Sequence, residues 1–278
     1  MLKGNVPRHP FPLPYRSRSI AYTVPAGEAA LADFKDIELF IQPDQGNVLA
    51  GAPNMQIASR YGGYIAKAVD DDIALTTGLA EGVPVVSFPG GSPNDTEPLH
   101  VPGYTLGGDY MLCILFGFDG DATMSAAQTL FAAGLDGTAS SLKVFMLNSG
   151  LYVRHDSGDT VKSSVFSAGE QYLVMVTYDA TADEIKGYVN STSSLTWTAD
   201  AATGAAGGDD GLQIGSRWNA GRTKINQALD GKVRAAWAAR APWPPWLPWP
   251  PFARAPSPCL PDAPRASPLH HCTWTRGA

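Results

Sequence analysis

The chain has 278 residues, with 20 Lys and Arg against 26 Asp and Glu, a formal net charge of -6 and a pI near 5.3. Because the charges form no basic stripe, nucleic acid is not expected as a partner. The longest apolar run, residues 110–118, is too short to cross a membrane as a helix, and the amino terminus lacks the apolar segment of a secretory signal. A hydrophobic fraction of 44% is sufficient for a globular core.

Residues 1–40 are rich in proline and then briefly helix-like, with apolar side chains at mixed spacing over residues 26–40. No regular period continues for long enough to predict a stable element there. We interpret residues 1–40 as an N-terminal arm that lies outside the main fold.

Residues 41–240 consist of short apolar or alternating segments separated by Gly, Asn, Asp and Pro, which is the pattern of an all-β protein. Residues 184–190 alternate as a strand with one solvated side does, whereas residues 172–178 are apolar on both faces and predict a central strand covered twice. Together these patterns favour a two-sheet antiparallel jelly-roll sandwich. The candidate strands are residues 83–88, 110–118, 141–147, 150–156, 170–179, 184–190, 211–216 and 228–238.

Residues 241–278 form a Pro/Trp-rich tail that holds 11 of the 23 prolines and four of the seven tryptophans. Proline removes backbone donors and fixes φ, so no sheet pattern survives this composition. The tail is open to interpretation as a polyproline ligand, as an aromatic-rich docking peptide, or as a gene end translated out of frame. We predict that it is disordered or out of frame.

Four segments, in this order, resemble the concanavalin A-like lectin/glucanase superfamily in its laminin G-like branch. They are "GVPVVSFPGG", "GGDYMLCILFGF", "EQYLVMVTYDATADEIKGYVNSTSS" and "GLQIGSRWNAGRTKINQALDGKVRAAWA". The resemblance covers residues 80–240 and implies a jelly-roll sandwich whose function lies in rim loops and on the concave face. Two features depart from the family: Asn190 and Ser191 stand where Asp-Gly is usual, and the tail replaces a short closing helix.

Catalytic patterns are missing from the sequence. No Glu-x-Asp-x-x-Glu strand of the glucanase type occurs, and the carboxylates of residues 179–184 fall in a predicted turn. His9, His100 and His155 lie in separate segments without a nucleophile motif, and Cys113 is predicted to be a buried thiol. We therefore predict a protein that is not an enzyme.

A sugar site is predicted in the loop "GSRWNAGR", because a pyranose face stacks on an aromatic ring while Asn and Arg bind hydroxyl groups. An equally good interpretation places the tryptophan over the edge of the core. The candidate ligand-binding residues are Arg217, Trp218, Asn219 and Arg222, with Tyr188 and Trp197 near them.

Calcium is a candidate cofactor, because acidic side chains on loops supply the oxygen ligands that it prefers. Asp209 and Asp210 are the candidate ligands, since they precede the closing strand near the rim where laminin G-like relatives can hold calcium. The competing interpretation is ordinary polar turn residues.

The function predicted from these features is a non-catalytic, lectin-like binding or structural module. We expect a component of a phage virion, such as a tail fibre, spike or capsid-surface protein, which contacts glycans or neighbouring subunits and forms a homo-oligomer. The alternatives are a bacterial surface adhesin and a glucanase-type enzyme, and the enzyme would need two carboxylates about 5 to 10 Å apart on one concave face.

Overall fold

A computed structural model describes residues 37–44, 46–49, 55–68, 73–77, 84–90, 98–118, 126–134, 142–155, 158–162, 165–167, 169–190, 197–200, 211–218 and 227–240. Every regular element within these segments is a β-strand. No helix in the described part has the length and apolar character needed to cross a membrane. The predicted tail, and the predicted arm up to residue 36, lie outside the described residues.

The strands form two antiparallel sheets of eight strands each. Sheet A contains β14 (Trp197–Asp200), β13 (Glu184–Val189), β12 (Gln171–Asp179), β7 (Tyr110–Phe118), β16 (Asp230–Ala239), β5 (Pro84–Pro89) and β4 (Ala74–Thr77), with β1 (Ile37–Ile41) also paired to β16. Sheet B contains β11 (Gly158–Lys162), β10 (Gly150–His155), β9 (Leu142–Leu147), β8 (Gln128–Ala133), β15 (Leu212–Ile214), β6 (Leu99–Val101), β3 (Ile65–Ala68) and β2 (Gln56–Ala58).

The main core lies between the sheets, because each strand turns alternate side chains inward. Phe116 and Val174 of sheet A and Leu142 and Ile214 of sheet B belong to this one buried cluster. The predicted two-sheet sandwich is therefore confirmed.

Strand β12 is buried on both faces, as its sequence predicts. Val174 and Val176 point into the core between the sheets, whereas Leu173 and Met175 belong to a second cluster on the other face of sheet A. A single central strand thus contributes to two apolar layers.

The long strand β16 is shared by two partners on one side. Its residues 230–233 pair with β5 and its residues 236–239 pair with β1, while β7 runs along the other side. The prediction of an arm up to residue 40 is therefore wrong at its carboxyl end, where Ile37–Ile41 form a strand. Leu39, Phe40 and Ile41 gain burial from this pairing, which occurs with a segment about 200 positions away.

The turn between β12 and β13 is held by carboxylates that accept backbone hydrogen bonds. Asp179 Oδ1 accepts the backbone N–H groups of Thr181 and Ala182 at 2.9 and 3.0 Å, and Asp109 Oδ1 accepts that of Ala180 at 2.8 Å. The turn predicted for residues 179–184 is confirmed, and its acidic side chains stabilise the hairpin.

Candidate functional site

The structure packs Trp218 against His100 on the outer face of sheet B and not in an exposed loop. Its side chain is 7% exposed, its backbone N–H donates to Gln213 Oε1 at 2.7 Å, and its ring meets the ring of His100 edge to face with 4.7 Å between centroids. Arg217 beside it is buried as well. An exposed stacking platform at Trp218 is therefore corrected to a packed aromatic residue, because the indole gains more from burial than from solvent.

The predicted site residues do not assemble into one site. Tyr188 packs on the outer face of sheet A, on the opposite side of the core from Trp218. Trp197 begins β14 and pairs with Gly187, next to Tyr188, and its side chain lies outside the described part. Asn219 and Arg222, and the predicted calcium ligands Asp209 and Asp210, also lie outside the described residues.

A different set of side chains forms a row across the outer face of sheet B. Lys67 is in register with His100, His100 with Gln213, Gln213 with Ala132, Ala132 with Lys143, and Lys143 with Arg154. Since these residues alternate with core residues such as Leu99, Leu212 and Val144, all six turn away from the core. We call this set the polar row; its members are Lys67, His100, Gln213, Ala132, Lys143 and Arg154.

Gln213 anchors the centre of the polar row. The side chain has 0% exposure; its Nε2 donates to the carbonyl of Gly134 at 3.0 Å, while its Oε1 accepts the N–H of Trp218. One buried amide thereby satisfies two backbone groups on different segments. This arrangement holds Trp218 and His100 at a defined place on the outer face.

Two aromatic rings extend the polar row along β9 and β10. Phe145 and Tyr152 lie two positions from Lys143 and Arg154, so they share the outer face, and they stack at 5.0 Å between centroids with an interplanar angle of 21°. The guanidinium carbon of Arg154 lies 6.0 Å from the centroid of the Phe145 ring. We call Phe145 and Tyr152 the aromatic pair. Tyr152 is half-buried and Phe145 is buried, so the tyrosine presents the accessible ring.

The polar row carries three basic side chains: Lys67 is exposed, Lys143 is 3% exposed and Arg154 is half-buried. The register continues beyond Arg154 to Asp159 of β11, so an acidic residue stands at the end of this row. The residues that the structure describes contain no group of three His, Cys, Asp or Glu side chains placed to hold a metal ion. The polar row can thus donate hydrogen bonds and stack on rings.

Sequence reasoning missed the polar row because its members come from six different strands. Four of these strands, β3, β6, β9 and β15, do carry a local signal, an isolated polar residue between two apolar ones, as in the segments Leu99–Val101 and Leu212–Ile214. These polar residues come together only when strand pairing places them in register. That alignment depends on pairing between segments far apart in sequence.

The chain is an all-β sandwich of two antiparallel sheets, and a comparison with solved structures agrees with this fold class. The binding domain of botulinum neurotoxin serotype D is 13% identical, with a TM-score of 0.53, over 76% of this chain and 49% of that one. The CBM40 of a Ruminococcus gnavus IT-sialidase bound to α2,3-sialyllactose is 13% identical, with a TM-score of 0.42, over 54% of this chain and 89% of that one. Trypanosoma rangeli sialidase in complex with sialic acid is 13% identical, with a TM-score of 0.49, over 74% of this chain and 31% of that one.

These likenesses concern the fold alone, because identities near 13% carry no site residues across. The chain spans about half of the toxin domain and about a third of the trypanosomal sialidase. No protein-family model matches the sequence, and a search of the curated proteins found no match. The function must therefore be argued from the side chains themselves.

Proposed function

We propose that this protein is a non-catalytic glycan-binding module whose ligand contacts the polar row and the aromatic pair on the outer face of sheet B. The observation that carries this proposal is the row itself, in which the exposed ammonium group of Lys67 and the half-buried side chains of His100 and Arg154 are held on a sheet face that turns away from the core. Such groups bind sugar hydroxyls.

The aromatic pair supplies the second part of a sugar site. The apolar C–H face of a pyranose stacks on a rigid ring, and stacking on Phe145 fixes the orientation of the Tyr152 ring. Arg154 lies beside this platform, where its guanidinium can meet hydroxyl or carboxylate groups of the ligand. The fold class adds support, since the toxin structure with the TM-score of 0.53 is itself a binding domain.

A glycan array probed with the full chain tests the proposal. Tyr152→Ala should lower the affinity for the best glycan at least about ten-fold, or about 1.4 kcal/mol. Tyr61→Ala is the matched control, because Tyr61 is also a half-buried tyrosine, but it packs against Phe40 on the outer face of sheet A. Equal affinity in both variants, or no glycan bound by the parent chain, would contradict the proposal.

Calcium stays a prediction that the same assay can test. If Asp209 and Asp210 hold an ion near the closing strand, chelation should weaken glycan binding, and the double variant Asp209→Asn with Asp210→Asn should no longer respond to calcium. Calorimetric titration of the parent chain with calcium measures the ion directly. A titration that shows no heat of binding would contradict the calcium prediction.

We propose a phage particle as the setting, with the module assembled in the host cytoplasm as part of a tail fibre, spike or capsid surface. One observation supports it: β11 ends the strand order of sheet B, and an edge strand can pair with a neighbouring subunit, as a homo-oligomer requires. Light scattering measures the oligomeric state, and mass spectrometry of purified particles detects the chain there. Detection on a bacterial surface instead would favour the adhesin alternative.

A further inference from the structure

The outer face of sheet A carries an apolar cluster that is almost inaccessible to solvent. We call it the outer cluster, and its ten residues have exposures between 0 and 7%. Its central row runs across five strands, from Phe40 through Trp237, Cys113 and Met175 to Tyr188. The members of the outer cluster are Ile37, Phe40, Met111, Cys113, Leu115, Leu173, Met175, Ala235, Trp237 and Ala239.

Two tyrosines at its margins are the described, partly buried hydrophobic residues that pack on this cluster, and the guanidinium carbon of Arg60 lies 5.8 Å from the centroid of the Phe40 ring. The Tyr61 ring meets Phe40 at one end of the row, with 6.2 Å between centroids, and Tyr188 stands at the other end. Four strand spacings of about 4.8 Å make the row about 19 Å wide, so these two rings leave its middle to a further layer. Trp237 and Cys113, both 1% exposed, lie in that middle.

We propose that residues 241–252, the first part of the Pro/Trp-rich tail, cover the outer cluster as a polyproline II segment. The point where β16 ends supports this assignment. Ala239, the last residue of β16, belongs to the outer cluster and pairs with Ile37 of β1. Arg240 Nε lies 2.7 Å from Glu38 Oε1, so an ion pair joins the end of β16 to β1 where the tail begins.

The spacing of aromatic residues in the tail is suited to covering the outer cluster. In "APWPPWLPWPPF", Trp243, Trp246, Trp249 and Phe252 recur at every third position. A polyproline II helix has three residues per turn, so these rings lie along one side of it, and Trp243 to Trp249 span about 19 Å at about 3.1 Å per residue. That length equals the width of the central row. Prolines on the other two sides limit the entropy lost on docking.

The N-terminal arm is the competing cover, because it also meets the sheet at the Ile37 end. Its first aromatic residues, Phe11 and Tyr15, are four positions apart, and Tyr22 follows after seven more. This spacing does not place the rings on one side of a polyproline II helix. The arm therefore lacks the regular stripe that residues 241–252 carry.

Cys113 is a reporter inside the outer cluster. In the full chain with Cys259→Ser and Cys272→Ser it is the one remaining thiol, and its rate of reaction with an aromatic disulfide reagent measures whether the face is covered. Adding Trp243→Ser, Trp246→Ser and Trp249→Ser should raise the rate at least about ten-fold, as a layer of rings is lost. Trp274→Ser is the matched control, because Trp274 is a tail tryptophan that does not belong to the three-residue repeat. This substitution should leave the reaction rate of Cys113 unchanged.

Two further variants keep the test decisive if the triple variant fails to fold. Trp246→Ser alone removes one ring of the stripe and should give an intermediate rate, and the triple Trp→Phe variant, which keeps the rings apolar, should protect Cys113 as the parent does. The proposal would be overturned if Cys113 reacted at the parent rate both in Trp246→Ser and in a folded triple variant. An out-of-frame tail predicts that result. Exposure by Phe11→Ser with Tyr15→Ser alone, or protection that rises with protein concentration, would assign the cover to the arm or to a second copy instead.

Discussion

The two outer faces of the sandwich differ in chemistry although they are built on the same strand geometry. The outer face of sheet A shows Met111, Cys113, Met175 and Trp237, whereas the outer face of sheet B shows the polar row with Gln213 at its centre. Both faces are largely buried, so burial alone does not distinguish them. The two faces differ in whether their buried side chains carry polar atoms that need hydrogen-bond partners. The apolar face of sheet A stabilises the protein, and we propose that the polar face of sheet B recognises a ligand.

The largest expected effect is on the apolar face. Trp237→Ala removes a side chain that is 1% exposed and contacts Phe40 at 6.0 Å between ring centroids, so we expect a loss of about 3 to 5 kcal/mol in the free energy of unfolding. Urea unfolding measures the loss. Leu75→Ala, at a position 45% exposed, is the control and should stay within about 0.5 kcal/mol of the parent. A loss below 1 kcal/mol at Trp237 would mean that this face does not carry stability.

The next effect is on the polar face. Gln213→Leu leaves the carbonyl of Gly134 and the N–H of Trp218 without the amide, and each buried group then costs about 1 to 3 kcal/mol. Because Trp218 and His100 lose their anchor, glycan affinity should fall as well, whereas Trp237→Ala should leave it unchanged in the folded fraction. Gln128→Leu is the control, since Gln128 Oε1 bonds the N–H of Asp230 at a partly buried place that water can reach. Equal losses in both Gln variants would contradict the anchoring role.

A smaller effect is expected where the β12–β13 hairpin ends. Asn190 has a φ of 54°, and its Oδ1 accepts the N–H of Leu173 at 2.8 Å. Asn190→Ala loses this bond and places an alanine in the left-handed region, so we expect a loss of about 1 to 2 kcal/mol. Asn190→Gly removes the bond but relieves the backbone conformation, and should cost less. If the glycine variant is the less stable of the two, backbone conformation is not the cause.

The smallest effect is an alkaline loss of stability from the apolar face. Burial raises the pKa of the Cys113 thiol well above its ordinary value of 9.0. Above pH 9 the unfolded chain releases this proton while the folded chain keeps it, so the free energy of unfolding should fall as pH rises, by at most about 1.4 kcal/mol per pH unit. Cys113→Ser should flatten the slope measured by urea unfolding between pH 8 and 10, in comparison with the parent. Parallel slopes would show that the thiol has the same pKa in the folded and unfolded states, so that burial does not raise it.

Much of the fold could be predicted from the sequence because alternation and turn residues are local. All eight candidate strands contain a strand in the structure, and residues 110–118 match β7 at both ends. The elements that were missed are short or rich in alanine, such as β2, β3 and β4, which carry too few periodic positions to stand out. For these strands the neighbours in the sheet, and not the segment itself, decide the conformation.

The candidate site could be predicted much less well, and the reason is physical. A loop that contains Trp and Arg looks like a sugar site in sequence, but Trp218 gains more by packing on His100, and Tyr188 lies across the core from it. Glycan binding was predicted from the sequence, whereas the polar row, where we propose that the glycan binds, was not. No local pattern shows that Lys67 and Arg154, 87 positions apart, share one face of sheet B.

The sequence by itself determined the class of the protein, the central position of β12 and the turn after Asp179, because side-chain alternation and turn chemistry act over a few residues. The tertiary structure alone decided that β1 joins β16, that Gln213 is buried at the centre of a polar row, and that Trp218 turns toward His100. Those outcomes depend on strand register, and register is set by the packing of whole sheets around a common core.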